Sequence, residues 1–381
     1  MLVIKLNELN SDDIKFYESI LDEGLNAATY VPFGFEFQAD AGLFLLLKFY
    51  DVVESIQIES RLQDIEIAKN DGKIILAQAK ASEKPLGSNP NEKSKLSDAI
   101  LSLIKSDRKK VDKLIYVSNL VDPLLSNEKH EFDSKIVNFE YLSEDAKNSI
   151  TNALSEIEKK LQSKITDTSS TKRSIELSKL IVKNIDNLNK SKIEIITIPR
   201  YYGDEERAIE VKNKLKEFLH DRFGFSDGQC ISLGNEIYKR VHSFFVFENS
   251  VGIESKIKMI SKKDFAWFSI IVATEAISPS EALEKFGEEV DDDIADKIQG
   301  YSYEFNKYLE YEKLTRILAD YYDYRRNTSK DYIAFINDKY MSYIDDFQYI
   351  ENDDEKRMMI KCMLYKIFKK YNMVSHIIEG V

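Results

Sequence analysis

Residues 64–80 read as a β-hairpin whose open end carries chemistry. Asp64-Ile65-Glu66-Ile67-Ala68 and Lys73-Ile74-Ile75-Leu76-Ala77-Gln78-Ala79-Lys80 are rich in β-branched residues and flank Lys69-Asn70-Asp71-Gly72. An Asn-Asp-Gly cluster between two such runs predicts a tight turn joining antiparallel strands. With the turn centred on Asp71, Asp64 and Gln78 are equidistant from it and face each other across the ladder. Gln78 and Lys80 are two residues apart, so both leave the same face of their strand. One carboxylate, one amide oxygen and one ammonium therefore converge.

Hydrolysis of a phosphodiester at a divalent ion needs those residue types. Mg²⁺ takes hard oxygen ligands and keeps several waters, so one or two protein oxygens and a substrate phosphate suffice. Asp64 is the expected anchoring ligand, with Gln78 and the Ala79 carbonyl completing the protein share. Such an ion helps generate the attacking hydroxide and offsets charge on the phosphorane. Lys80 is placed to orient the water or neutralise developing negative charge. Neither histidine nor cysteine is required, and neither occurs before His130.

Asp64 followed by Gln78-Ala79-Lys80 resembles the PD-(D/E)XK nuclease superfamily, in the variant where glutamine replaces the second acid. Upstream stands Gly34-Phe35-Glu36-Phe37-Gln38, then an apolar helix and Glu59. With these the stretch is similar to the double-stranded-DNA endonuclease domain that heads the SAVED effectors of cyclic-oligonucleotide antiphage systems. The same domain is the nuclease of Lamassu defence complexes, beside an SMC-like ATPase. The motif match spans roughly residues 30 to 120. The resemblance implies Mg²⁺ or Mn²⁺ as cofactor and assigns Asp64, Gln78 and Lys80 to metal and catalytic positions. It assigns Gln38 to the helix position and Glu59 to an acidic position beside the metal. It also implies partners: an SMC-like ATPase that holds the nuclease inactive, and a small accessory subunit. Activation would follow by release and self-association, because one site cuts one strand and a double-strand break needs two.

The order of elements fits that α-β-β-β-α-β core. Phe35–Tyr50 is apolar without alternation and reads as a buried helix. Ser55–Glu59 alternates as a strand delivering Glu59 near the hairpin. Ser94–Ser106 has a helical apolar face, and Lys113–Ser118 is a short buried strand. Further on, Ile136–Tyr141 suggests another strand and Ser143–Lys164 a helix capped by Ser143. Thr166–Thr171 reads as a hinge, Ile193–Ile198 as a buried strand stopped by Pro199, and Asp204–Leu219 as an amphipathic helix.

The expected fold class is α/β (α+β): a restriction-endonuclease-like domain over 1–224 and a mainly helical domain over 225–381. At 381 residues and 43% hydrophobic content the chain can build two cores. The second part repeats tyrosine and phenylalanine at helical spacings: Tyr301, Phe305, Tyr308, Tyr311, Tyr321, Tyr324, Tyr332, Phe335, Tyr340 and Tyr343. Such stripes are packing faces of a bundle or an assembly surface. This part is short and uniformly helical for the sensor of the cyclic-oligonucleotide effectors, which favours the Lamassu-type subunit. Docking to the partner is the role expected of it.

Composition sets further bounds. Cys230 and Cys362 are far apart with no metal spacing and read as reduced and buried. The only tryptophan, Trp267, is expected in a helix on the core. The start is too brief for a signal peptide, and no apolar run approaches the ~18 residues of a membrane span. A cytoplasmic protein without membrane contact is therefore expected. The net charge of −12 disfavours general attraction to phosphates. DNA contact would need local basic groups: Lys84, Lys93 and Lys95 in and beside the loop after the hairpin, and Lys105, Arg108, Lys109, Lys110 and Lys113 beyond the next helix. Each of these is also an ordinary solvated lysine or arginine position.

Three alternatives remain open at this level. The chain could be a stand-alone restriction-type endonuclease, a cyclic-oligonucleotide-activated nuclease effector, or a catalytically silent nuclease fold that only binds DNA or serves as a scaffold.

Overall fold

The computed structural model describes residues 32–60, 63–82, 92–107, 110–126, 133–167, 170–199, 208–223, 225–247, 258–262, 264–266, 269, 279–287, 292–300, 311–347, 350 and 352–369. These fall into two units. One lies within Met1–Val211 and Phe244–Met259, the other within Lys212–Ser243 and Ile260–Val381. The sequence reading placed a single division at Gly224, a residue outside the described set.

The first unit is built on a mixed sheet. Helix α1 (Pro32–Lys48) leads into β1 (Val53–Ile58), β2 (Ile65–Lys69) and β3 (Ile74–Lys80). Helix α2 (Glu92–Lys105) and β4 (Val111–Ser118) follow, giving the α-β-β-β-α-β order expected from the pattern. The remaining elements are β5 (Val137–Asn138), α3 (Glu144–Thr166), α4 (Lys172–Asp186), β6 (Ile193–Thr197) and the first residues of α5 (Ile209–Phe223). Strand order is β5-β6-β4-β3-β2-β1-β7, with β7 at Lys258–Ser261. Strand β2 is antiparallel to its neighbours β1 and β3, while β3, β4 and β6 run parallel. Every residue of β3 from Ile75 to Ala79 is buried, because helices cover both faces of this central strand.

Helix α1 packs on β1–β3. Its residues Phe37, Leu43, Phe44, Leu45 and Leu46 are nearly inaccessible, which accounts for an apolar run too uniform for a surface helix. Gly42 permits the close approach: a Cβ there would collide with Ile58 Cδ1. On the other face, Leu76, Leu114, Tyr116, Ile193 and Ile195 form one core with α2, α3 and α4. Ser143 caps α3 by accepting from Ala146 N at 3.2 Å, as the sequence suggests.

Several local expectations need correction. Helix α4 was not anticipated beyond the Ser/Thr stretch before it, yet Thr171 caps it through Ser174 N. The strand expected over Ile136–Tyr141 shrinks to Val137–Asn138, after which Phe139–Tyr141 turns into a 3₁₀ segment capped by Asn138. Of the helix expected from Asp204, residues 204–207 lie outside the described set and α5 runs on to Phe223. Trp267 also lies outside it, but the neighbouring Phe265 and Ala266 are buried.

The second unit is helical. It holds most of α5, α6 (Asp227–Phe247), α7 (Pro279–Glu284), α8 (Asp292–Gly300), α9 (Tyr311–Thr328), α10 (Tyr332–Lys339), a 3₁₀ stretch (Tyr340–Phe347) and α11 (Asp353–Lys369). Helix α11 is buried continuously from Met358 to Phe368 and contacts α7, α8, α10 and the 3₁₀ stretch. Part of the tyrosine stripe is core: Tyr321 and Tyr324 each meet Phe335 edge-on at 5.4 Å, and Tyr321 meets Phe368 at 4.7 Å. Cys230 and Cys362 are free and buried, and burial pushes the Cys362 thiol up to about 11. No helix among the described residues is long and apolar enough to cross a membrane.

Candidate functional site

The hairpin fixes the site through its register. Ile65 pairs with Ala77 and Ile67 with Ile75, and Lys69 N donates to Lys73 O at 2.9 Å. That makes the odd-numbered positions the hydrogen-bonded pairs. Asp64, at the bend just before β2, therefore stands opposite Gln78 at the next, non-bonded position, where side chains approach closest.

At this point the strands part. Regular pairing would join Ala79 N to the Gln63 carbonyl, but that carbonyl accepts from Ser60 Oγ at 3.0 Å. Asp64 Oδ2 takes the Ala79 amide instead, at 3.0 Å, and also accepts from Gln78 Nε2. An extended residue sends its N–H and C=O to the same edge, so the Ala79 carbonyl faces the same gap.

Gln38, in the second turn of α1, hydrogen-bonds the Asp64 carboxyl. Its own Oε1 is buried without a hydrogen-bond partner among the described residues. Burial raises the Asp64 pKa, and four things counter it: the Lys80 ammonium, the Ala79 amide, Gln78 and Gln38. Lys80 is half-buried at the last position of β3.

Asp64, Gln78, Ala79, Lys80 and Gln38 are thus brought together. Glu59 is delivered beside the hairpin, one residue beyond the strand that the pattern expected to carry it. It lies past the end of β1, exposed, with a left-handed backbone (φ 52°), and its amide donates to the Asp64 carbonyl at 2.7 Å. Strand β1 ends at Ile58 because the chain must turn back there to begin β2.

The oxygens suit a hard cation. Asp64 Oδ1, the Gln78 amide oxygen, the Ala79 carbonyl and the orphaned Gln38 Oε1 are all oxygen donors. The set carries one formal negative charge, and among the described residues no group of three or more His, Cys, Asp or Glu could hold a metal. A soft or tightly caged ion is a poor match. A largely hydrated Mg²⁺ or Mn²⁺ fits.

The basic positions are scattered in their roles. Lys84, Arg108 and Lys109 lie outside the described residues, as does the side chain of Lys93. Lys110 is exposed and Lys105 half-buried. Lys113 is taken up by an ion pair with the buried Glu194 and lies 5.7 Å from the Phe49 ring centre. Lys95 reaches back to the Ala81 carbonyl at 3.0 Å.

Two further buried amides stand beside the site without a sequence signal of their own. Gln63 precedes Asp64 and binds α2, donating from Nε2 to Ser102 O (2.6 Å) and Ser106 Oγ (3.0 Å). Its Oε1 accepts from Ser102 Oγ at 3.2 Å. Asn119, just past β4, exchanges two 2.7 Å hydrogen bonds with the backbone of Ser82.

No family model matches this chain, and no curated protein does. Comparison with solved structures gives matches at low TM-score. A Cap4 SAVED/CARF-domain containing receptor of Moraxella osloensis is 13% identical, covering 64% of this chain and 48% of its own, with a TM-score of 0.33. The Acinetobacter baumannii Cap4 receptor with the cyclic trinucleotide 2'3'3'-cAAA is 16% identical, covering 65% and 46%, with a TM-score of 0.34. The same receptor with 3'3'3'-cAAA gives 15%, 72%, 57% and 0.35. The chain thus spans about half the length of the receptors it aligns with.

Proposed function

We propose that this chain is a divalent-metal-dependent DNA endonuclease. The observation that supports it is the Asp64 carboxyl, held in a partly buried gap between β2 and β3 with Gln78, Ala79, Lys80 and Gln38 around it. Burial strips the Asp64 carboxyl of water while the donors and the ammonium replace part of that solvation, and such perturbed acids concentrate at functional sites. A bound Mg²⁺ or Mn²⁺ supplies Lewis acidity and positive charge for phosphodiester hydrolysis. Asp64, the Gln78 amide oxygen and the Ala79 carbonyl would hold it. The Lys80 ammonium would stabilise negative charge growing on the phosphoryl oxygens.

The cellular role follows from the resemblance set out above: the effector of a prokaryotic antiphage or anti-plasmid defence complex of the Lamassu kind. An SMC-like ATPase, beside a small accessory subunit, would keep it silent, and release with self-association would switch it on. Co-expression with those partners and gel filtration before and after release test that context.

Plasmid cleavage tests the chemistry. The wild-type chain should linearise DNA only with added Mg²⁺ or Mn²⁺, and Asp64→Ala and Lys80→Ala should both abolish it while the circular-dichroism spectrum stays native. Metal-independent cutting would refute the reading. One observation favours a second reading, a silent DNA-binding scaffold: among the described residues no cluster of three metal-binding side chains surrounds Asp64, so a divalent ion would be held by little formal charge. Unchanged defence against phage in a Lys80→Ala strain would select the scaffold.

A further inference from the structure

We propose that Gln63 and Asn119 are positioning residues that separately fix the two halves of the site, an inference resting on the nuclease reading above. Each is a side-chain amide at least nine-tenths buried, Gln63 at 4% exposure and Asn119 at 2%. Each uses both its donor and its acceptor.

The two clasps act on different groups. Gln63 is adjacent to Asp64 and ties that bend to Ser102 on α2 and to Ser106 just past its end. The backbone leading into Asp64 therefore cannot shift without breaking three hydrogen bonds. Asn119 works on the other strand. Lys80 pairs with Ser118 in the last register position of β3 and β4. Beyond it, the Asn119 amide takes the place of a peptide group and extends the ladder to Ser82 through reciprocal bonds. Lys95 pins the intervening Ala81 carbonyl from α2. The stretch 80–82 is thus held on two sides, and Lys80 with it. Gln63 sets where the carboxylate stands and hence how well metal is held. Asn119 sets where the ammonium stands and hence how fast the held complex turns over.

The test separates those effects in the full-length chain. Mn²⁺ binding is measured calorimetrically without DNA, plasmid cleavage is followed against Mg²⁺ concentration, and thermal melts report folding. Gln63→Ala should weaken Mn²⁺ binding about tenfold or more, as loss of supporting groups around metal ligands does, and saturating Mg²⁺ should restore most of the cleavage rate. Asn119→Ala should leave Mn²⁺ affinity unchanged and lower the rate at saturating metal. If either fails to fold, Ser106→Ala and Asn119→Ser remove fewer bonds and carry the same expectations. Equal losses of binding and rate in both variants, following their loss of stability, overturn the proposal while the nuclease reading stands. A wild-type chain that neither binds Mn²⁺ nor cuts DNA removes both.

Discussion

The two ends of one hairpin treat charge in opposite ways. At the turn, Lys69 bonds Asp112 at 2.7 Å and Asp71 at 3.3 Å, while Lys73 lies 3.6 Å from Asp112 and 3.8 Å from Asp71. Two ammoniums and two carboxylates cancel there in the presence of water. The backbone amide of Lys73 holds the Asp71 pKa below the ordinary carboxylate range, and the Lys69 ammonium does so for Asp112. At the open end, burial drives the Asp64 pKa the other way in spite of Lys80. The turn end is electrostatically content and needs no further partner. The open end keeps a carboxyl where its charge is disfavoured, the condition under which a cation is bound most usefully.

The largest test of this contrast exchanges one lysine at each end. Lys80→Ala should lower DNA cleavage by about 100-fold or more, the usual scale for a lost charge-stabilising group. Lys69→Ala should leave the rate at saturating Mg²⁺ unaltered. Equal effects would break the comparison. Next in size, Gly72→Ala forces a side chain onto a residue with φ of 75°. It should cost about 1–2 kcal/mol in denaturant unfolding, with the same metal requirement as wild type.

The pH dependence of the metal-free chain sharpens the contrast further. Because the folded pKa of Asp64 is raised, its contribution to stability is fully present below the unfolded carboxylate pKa. It is lost as pH climbs from there through the folded value. Asp71 and Asp112, with lowered pKa values, stabilise above the unfolded pKa and lose that contribution as pH falls through their folded values. Asp64→Asn should therefore raise the melting temperature of the metal-free protein at neutral pH by a few degrees while abolishing cleavage. A lower melting temperature would contradict burial as the cause of the shift. The smallest effect belongs to Asp112→Asn, below about 1 kcal/mol and shrinking with added salt, since its ion pairs are solvent-accessible.

What could be read in advance had a local cause. The alternating run and Asn-Asp-Gly set the hairpin register, and the structure pairs Ile65 with Ala77 as the turn centre at Asp71 requires. The unbroken apolar run after Phe35 gave α1. The reading passed over α4, although Leu177, Ile181, Val182 and Ile185 form an apolar face that packs on the core at helical spacing. It likewise missed that Lys113 is engaged by Glu194, eighty-one positions along the chain. The strand pattern ran one residue long at Glu59, because it does not show where the chain must turn; the φ of 52° there marks that turn.

The sequence by itself determined the order of the first six elements and the facing of Asp64 and Gln78, because β periodicity and turn chemistry act over a few residues. Only tertiary structure decided that Gln38 from α1 reaches the same carboxyl, that Gln63 is clasped by α2, and that Asn119 closes the strand end at Ser82. Those contacts join residues 26 to 43 positions apart or more loosely coupled in pattern, and none repeats with a period. They exist because burying an amide demands a partner for each of its polar atoms, and the fold alone determines which partners are within reach.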